Sequence, residues 1–455
     1  ALAPWNAPSS TNGSASGPAA DGWHLAASHE TTSSPDDAEL YSHWRGKRWP
    51  LFKLTLWTGI LTILTLGLYR FWARTRIRRW YWSAIRPGGF PLEYTGTPYE
   101  KLLGFLFAVV ILAFYIGVVN LILLFLSFSL LAAPGAAYTL TVLGVVPIWF
   151  FAAYRAQRYL LARTRWMSIR FGLEPGAWGY ALRACLHWGL TLLTLGLWHP
   201  RLRYTLAKYR HDRTYYGTQR MNQGGDAGML YPAFVHVMIG GALTAGTIAL
   251  IVSGVSDVAG GEFDPDAVSE GTVPLPPVAN LLIFSVPWLI YGLIHYGVEG
   301  RRLLISQLTV GDVVLDPRPQ VAKVLWIAIT GNLARYVGTF GIILLAVIAF
   351  LAAAVASGMA LQAFESEDPV EILQAATTNL PDWVPFAITA LFYFSVFLIW
   401  NVLTHIFLTL PEWRHYAETL RFRGAGHLRE IGQRDRDESR EAGGFAEALD
   451  VGAAI

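Results

Sequence analysis

Apolar runs long enough to cross a bilayer recur along this 455-residue chain. Continuous apolar positions over 102–126, 137–154, 232–254, 279–298, 336–358 and 384–408 predict six transmembrane helices, each able to traverse about 30 Å of hydrocarbon. Between the helical stretches lie short segments of extended character. Phe90 to Thr95, Trp166 to Leu173 and Leu308 to Leu315 read as strands, with turns at Gly88-Gly89 and Gly311-Asp312, and are expected to pair as a small cytoplasmic sheet or collar. Thr97-Pro98-Tyr99-Glu100 predicts a capping box with proline in the first turn, and Asp368-Pro369-Val370-Glu371 predicts the start of a short surface helix.

Two further apolar segments are near copies of each other. Leu61-Thr62-Ile63-Leu64-Thr65-Leu66-Gly67-Leu68 returns as Leu190-Thr191-Leu192-Leu193-Thr194-Leu195-Gly196-Leu197, each followed by a basic, aromatic stretch that aligns Arg74 with Arg203, Arg79 with Lys208 and Trp80 with Tyr209. Such spacing points to a duplicated supersecondary unit. A degraded third copy is expected over Val324 to Val337, with Gly331, Asn332 and Arg335.

Charge sorts the loops. The 127–136 loop has no charged residue, and the 255–278 and 359–383 loops carry Asp and Glu without Lys or Arg, whereas every other connection is basic. The positive-inside rule therefore places both termini in the cytoplasm and folds the six spans as three outward hairpins. The duplicated segments have basic residues on both flanks, so a single crossing would export one basic flank. A re-entrant hairpin broken near Gly67 and Gly196 keeps both inside, and a plain span that violates the charge rule is the alternative. The expected class is thus an all-α membrane protein with six transmembrane helices, two or three re-entrant or short membrane segments and small β elements. Its expected divisions are a disordered tail (1–43), membrane repeats at 44–178 and 179–303, a divergent repeat at 304–428 and a second tail (429–455), with Phe445 to Leu449 as a short docking helix.

Composition agrees with a membrane chain: 53% of residues are hydrophobic and 15% charged, against about a quarter charged in soluble domains. The single cysteine, Cys185, excludes an intramolecular disulfide and any cysteine-based metal motif. The run LTLGLYRFWARTRIRRWYW followed by LEYTGTPYEKLLGF, and the second run LTLLTLGLWHPRLRYTLAKY with RTYYGTQR, resemble the YjgN-like family of bacterial inner-membrane proteins, a family of unknown function. The likeness is strong over residues 44–220 and weaker to 420, and the third unit departs from it by lacking a clear LTLG. The resemblance implies a polytopic fold in the inner membrane and supplies no activity or site residues.

The densest candidate for chemistry is Arg70 to Trp80. Arg70, Arg74 and Arg78 recur every fourth residue on one helical face, and with Arg79, Arg203 and Lys208 they are candidates for holding anionic lipid headgroups; the plainer reading is that they fix the inside face. A basic patch beside a span meets the bilayer before any nucleic acid, so no nucleic-acid partner is expected. His187, His236, His295 and His405 lie in or beside apolar segments without ligand spacing and read as structural, so no metal or other cofactor is expected. Asn120, Asn332 and Asn401 read as contacts between helices. No Asp or Glu lies well inside a span, which argues against ion-coupled transport, and no hydrolase or nucleotide-binding motif appears, so the chain is not expected to be an enzyme. Two functions survive. One is uncoupled transport, permeation or lipid handling, with Thr65, Gly67, Thr194 and Gly196 lining the site and Arg70 and Arg74 at its inner mouth. The other is a non-catalytic accessory subunit docking on a larger membrane complex.

Overall fold

The extended segments all join one sheet. The computed structural model describes residues 38–129, 136–258, 277–356 and 383–434. Its strands are β1 (Leu40–Trp44), β2 (Ile85–Pro87), β3 (Leu92–Tyr94), β4 (Thr164–Trp166), β5 (Ile169–Leu173), β6 (Thr214–Tyr216), β7 (Gln219–Gln223), β8 (Leu308–Val310), β9 (Val313–Pro317) and β10 (Leu420–Arg423). Their order is β2-β1-β10-β9-β8-β7-β6-β5-β4-β3, with every neighbouring pair antiparallel. The edge strands β2 and β3 are joined by Gly88 to Pro91, and the Trp166 indole on β4 donates to the Pro87 carbonyl on β2 at 3.2 Å, so the sheet nearly closes into a ring. Chain ends far apart in sequence meet in it, with Leu40 opposite Phe422.

The ring encloses an aromatic core. Trp166, Tyr216, Val310 and Ile431 are buried together, and Trp166 stacks on Phe422 of the non-adjacent strand β10 at 5.6 Å. The segment after β10 closes one side. Gly424 turns the chain at φ 72°, Leu428 and Ile431 enter the core, and the Thr218 amide donates to the Gly432 carbonyl at 3.0 Å. On the rim, Asp316 accepts hydrogen bonds from Arg318 and Arg423. Partial burial pushes its carboxyl up, but those hydrogen bonds and charges outweigh it and hold the group below the usual carboxylate range.

Among the described residues, five helical pairs alternate with the β hairpins. The first, α1 (Arg48–Leu64) and α2 (Arg70–Ala84), links β1 to β2. Between β3 and β4 stand α3 (Pro98–Phe114), a π turn (Tyr115–Val119), α4 (Asn120–Ser129) and α5 (Ala136–Ala162). The third pair is α6 (Ala177–Leu193) and α7 (His199–His211); the fourth is α8 (Tyr231–Val258) and α9 (Leu282–Ser306). The fifth is α10 (Val321–Ala356) with α11 (Trp383–Thr404), which runs through a π turn (His405–Thr409) into α12 (Leu410–Glu418). Successive pairs pack side by side, and α11 of the fifth returns against α1 of the first. The capping box at Thr97 forms only in part. The Glu100 amide reaches Thr97 Oγ1 at 3.5 Å, but its carboxylate accepts from Tyr159 on α5 and from Arg163 just past its end.

Several expectations change. Helix dominates, but a ten-stranded sheet is more than the small β elements of an all-α chain. Among the described residues, four stretches are long and apolar enough to cross a membrane: Ala227–Ser253, Pro277–Ser306, Val321–Ala349 and Thr389–Glu418. The spans expected at 102–126 and 137–154 are helical yet are not among these four, the apolar Gly117–Ser129 being shorter. Both duplicated segments fold as helix, tight turn and returning helix. The degraded third copy does not, because residues 324–337 lie inside the unbroken α10. Gly331 there serves close packing, since a Cβ would stand 2.5 Å from the Phe407 carbonyl oxygen. The greater part of the expected outer loops, most of both tails, the Asp368 helix start and the Phe445 helix lie outside the described residues.

Candidate functional site

The first helical pair carries a threonine stripe. Thr55, Thr58 and Thr62 share one face of α1, and each hydroxyl donates to the carbonyl four residues before it at 2.7–2.9 Å. Their backward hydrogen bonds satisfy the hydroxyl protons within the helix and leave oxygen lone pairs on the stripe. Opposite, α2 presents Arg70 and Arg74 one turn apart. Gly59 allows α1 to press on α11, for a Cβ there would stand 2.1 Å from Leu398 Cδ1.

Beside that contact the helices part around a cavity of about 650 Å³. Its walls are Thr55, Thr58 and Thr62 of α1, Arg70 and Arg74 of α2, Arg335 of α10, and Asn401, Thr404 and His405 where α11 widens into its π turn. Ile63, Phe394, Phe397 and Leu398 form an apolar wall on the side away from the sheet, and Phe394 and Phe397 are themselves exposed. Along α11, Asn401, Thr404 and His405 therefore lie nearer the ring than Phe394 and Phe397, while Arg70 stands at the turn end of α2.

Arg335 is held on several sides. Its guanidinium lies over the Trp400 ring at 3.9 Å and flanks Tyr336 at 5.2 Å, a placement that orients a planar cation. One nitrogen donates to Asn332 Oδ1 at 2.6 Å, while Nε, shielded from solvent, makes no hydrogen bond among the described residues. The Tyr81 hydroxyl sits 3.3 Å from His405 Nδ1 and braces the cavity floor. No group of three His, Cys, Asp or Glu side chains arranged for a metal occurs among the described residues.

Of the residues read from sequence as lining a site or holding lipid, only Arg70 and Arg74 reach this cavity. Thr65 and Gly67 form the turn above it, and Thr194 and Gly196 form the same turn in the third helical pair. Arg78 is buried between the Trp82 and Tyr94 rings, and Arg79 donates to the Gly96 carbonyl at 3.0 Å. Arg203 donates to the Tyr296 and Gly297 carbonyls, and Lys208 bonds the Gln223 carbonyl and Asp212. These four tie helices to one another and to the sheet. His187 accepts from the Trp198 indole at 2.9 Å, and the His236 and His295 rings meet at 4.9 Å.

Thr55, Thr58, Thr62 and Arg335 were missed as site residues, and Asn401 and His405 were given structural roles. The signal for the first three was available: threonines at i, i+3 and i+7 in an apolar helix mark one polar stripe. Arg335, a lone arginine in a long apolar run, carried a similar sign.

The chain matches the family described as "Bacterial protein of unknown function (DUF898)" over residues 40–349, more than half its length, and belongs to that family. It is 29% identical over 153 residues to "Inner membrane protein YjgN" of Salmonella typhimurium (strain LT2), a match covering 32% of this chain. The chain spans about a third of that relative's length, 35%. No solved structure matches.

Proposed function

We propose that this member of a bacterial family of unknown function binds an anionic amphiphile in the cavity of the first and fifth helical pairs, and that it handles lipid or small anionic solute without ion coupling. The observation that carries the reading is the convergence of Arg70 and Arg74 from α2 and Arg335 from α10 onto one partly open cavity with an apolar far wall. Guanidinium groups suit phosphate and carboxylate because their donors form a planar fork. The apolar wall at Phe394 and Phe397 suits an acyl chain entering sideways. On this reading the long helices cross the inner membrane as six spans in three outward hairpins, with both termini and the β ring on the cytoplasmic side. The two short duplicated pairs enter from that side and return. An inner-leaflet lipid then has the matching polarity, headgroup toward the ring and chain toward the membrane centre.

Native mass spectrometry of the protein in nanodiscs tests the ligand. Nanodiscs of phosphatidylethanolamine with phosphatidylglycerol are expected to yield retained phosphatidylglycerol, and the Arg70→Gln, Arg335→Gln double variant is expected to lose it. Nanodiscs of phosphatidylethanolamine alone with inorganic phosphate distinguish a free anion from a headgroup. Equal lipid retention by parent and variant, with no phosphate bound, would overturn the reading.

A further inference from the structure

The two duplicated turns share an unusual way of ending a helix. At the first, the Gly67 amide donates to the Thr62 carbonyl at 2.7 Å and the Leu66 amide to the Ile63 carbonyl at 3.0 Å, the paired bonds of a Schellman motif. At the second, Gly196 donates to Thr191 at 2.7 Å and Leu195 to Leu192 at 3.1 Å. The residue just past the helix in such a motif takes the left-handed conformation, where glycine or asparagine is the ordinary choice. Here it is Leu66 at φ 49° and Leu195 at φ 50°. These leucines are 89% and 95% exposed, so neither is held there by packing. A large apolar side chain in a disfavoured conformation, at the outermost point of a turn, twice, requires an apolar surrounding outside the protein.

The backbone of the turn suits hydrocarbon. Every amide from Thr65 to Arg70 is donated internally, that of Tyr69 to the Thr65 hydroxyl at 2.9 Å, and the copy repeats this from Thr194 to His199, with Trp198 on Thr194 Oγ1 at 3.0 Å. Such completeness is needed where no water can satisfy an amide. Around each apex Leu64 and Leu68, or Leu193 and Leu197, are exposed as well.

Length sets the depth. With 17 residues each, α1 and α6 rise about 25 Å from the sheet, whereas the 27 residues of α5 and the 36 of α10 reach about 40 and 54 Å. If the far 30 Å or so of the long helices fills the hydrocarbon, its near boundary lies about 10–24 Å from the sheet. A tip at 25 Å enters the near leaflet without crossing.

We propose that Leu66 and Leu195 are matched wedges inserted among the acyl chains of the leaflet nearest the β ring, with lipid tails as their partner. The inference rests on the long helices being membrane spans and is independent of the cavity's ligand. Nitroxide labels at Leu66→Cys and Leu195→Cys, in a Cys185→Ser background and in phosphatidylethanolamine–phosphatidylglycerol vesicles, are compared with labels at Leu293→Cys on α9 and Glu430→Cys beside the ring. Both tips are expected to collide readily with oxygen and poorly with a nickel chelate, as at position 293 and unlike position 430. Nickel accessibility at both tips equal to that at 430, with 293 protected, overturns the wedge and leaves the spans intact. Nickel accessibility at 293 as well overturns the spans and the wedge together. A second measurement guards against label effects. Leu66→Asn with Leu195→Asn, which removes backbone strain, is expected to lower the thermal midpoint in nanodiscs, and a raised midpoint contradicts insertion.

Discussion

The first and third helical pairs have the same turn and opposite interiors. Residues aligned across them differ where the first pair lines its cavity. Thr55 and Thr58 correspond to Ala184 and His187, Gly59 to Trp188 and Arg70 to His199. In the first pair the small Gly59 and the threonine stripe leave space that Arg70, Arg74 and Arg335 surround. In the third, His187 is engaged by Trp198, and Arg203, the counterpart of Arg74, is engaged by the Tyr296 and Gly297 carbonyls. The turn is shared, and the residues one to two turns below it decide whether a hairpin borders a cavity or packs against its neighbours.

The largest effect expected from that contrast is on binding. A charge-assisted hydrogen bond is worth about 1.5–3 kcal/mol, so removing Arg70 or Arg335 is expected to weaken retention of an anionic amphiphile about tenfold or more. Arg203→Gln is expected to leave retention unchanged and to lower thermal stability, because its guanidinium holds backbone carbonyls. Lipid retention by native mass spectrometry and thermal melts on the same samples separate the two. Loss of lipid in Arg203→Gln would erase the distinction between the pairs.

A substitution at Gly59 comes next. Giving it bulk, as its counterpart Trp188 has, drives a side chain into Leu398. Gly59→Leu is expected to destabilise the protein by about 1–3 kcal/mol through overpacking, with the cavity mouth distorted and lipid retention reduced. Trp188→Ala in the third pair is expected to leave lipid retention unaltered. A neutral melt for Gly59→Leu would show that α1 and α11 are not held as closely as described.

The shared turn predicts equality. Thr65 and Thr194 each accept an amide, from Tyr69 and Trp198, and replacing either with Val leaves that donor unpaired. Each change is expected to cost about 1 kcal/mol, and the two by nearly the same amount. Chemical unfolding of the single variants measures this; a cost confined to one turn would mean that the matched geometry hides unequal roles.

The sequence exposed the turn and hid the site for physical reasons. Helix and strand patterns are local, so the LTLG copies, the Gly88-Gly89 turn and three strand segments could be read from neighbouring residues. The near-closure of the sheet could not, because β1 and β10 come from opposite ends of the chain and pair only in the folded state. Arg70 and Arg74 stood out as part of a dense basic run, but Arg335 and Asn401 reach the same cavity from helices remote in sequence. The glycine in LTLG suggested a break at Gly67, yet the first left-handed residue is Leu66, a choice that propensity argues against. Position 331 shows the converse, a glycine kept helical by what packs on it.

The smallest expected difference between the pairs is in their response to acid. At the end of α2, the Trp82 indole donates to Thr164 Oγ1 at 3.1 Å and does not titrate. Its counterpart at the end of α7 is His211, whose Nδ1 lies 2.6 Å from Gln223 Oε1. Gln223 in turn donates from Nε2 to the Leu304 carbonyl at 2.9 Å, which leaves Oε1 as acceptor and Nδ1–H as donor. Burial pushes the His211 imidazole below its ordinary value, and Arg210 adds to this, against smaller opposing effects of Gln223 and Asp212. The folded protein therefore binds a proton at His211 less readily than the unfolded chain. Its contribution to stability is fully present above the unfolded value of about 6.5 and is lost as pH falls through the lower folded value. Thermal midpoints are expected to decline on acidification below that point less steeply in His211→Gln than in the parent. Parallel curves for the two would show that the ring at position 211 is neutral in both states or exposed in both, and the attachment of the third pair to β7 would then be no more acid-sensitive than that of the first to β4.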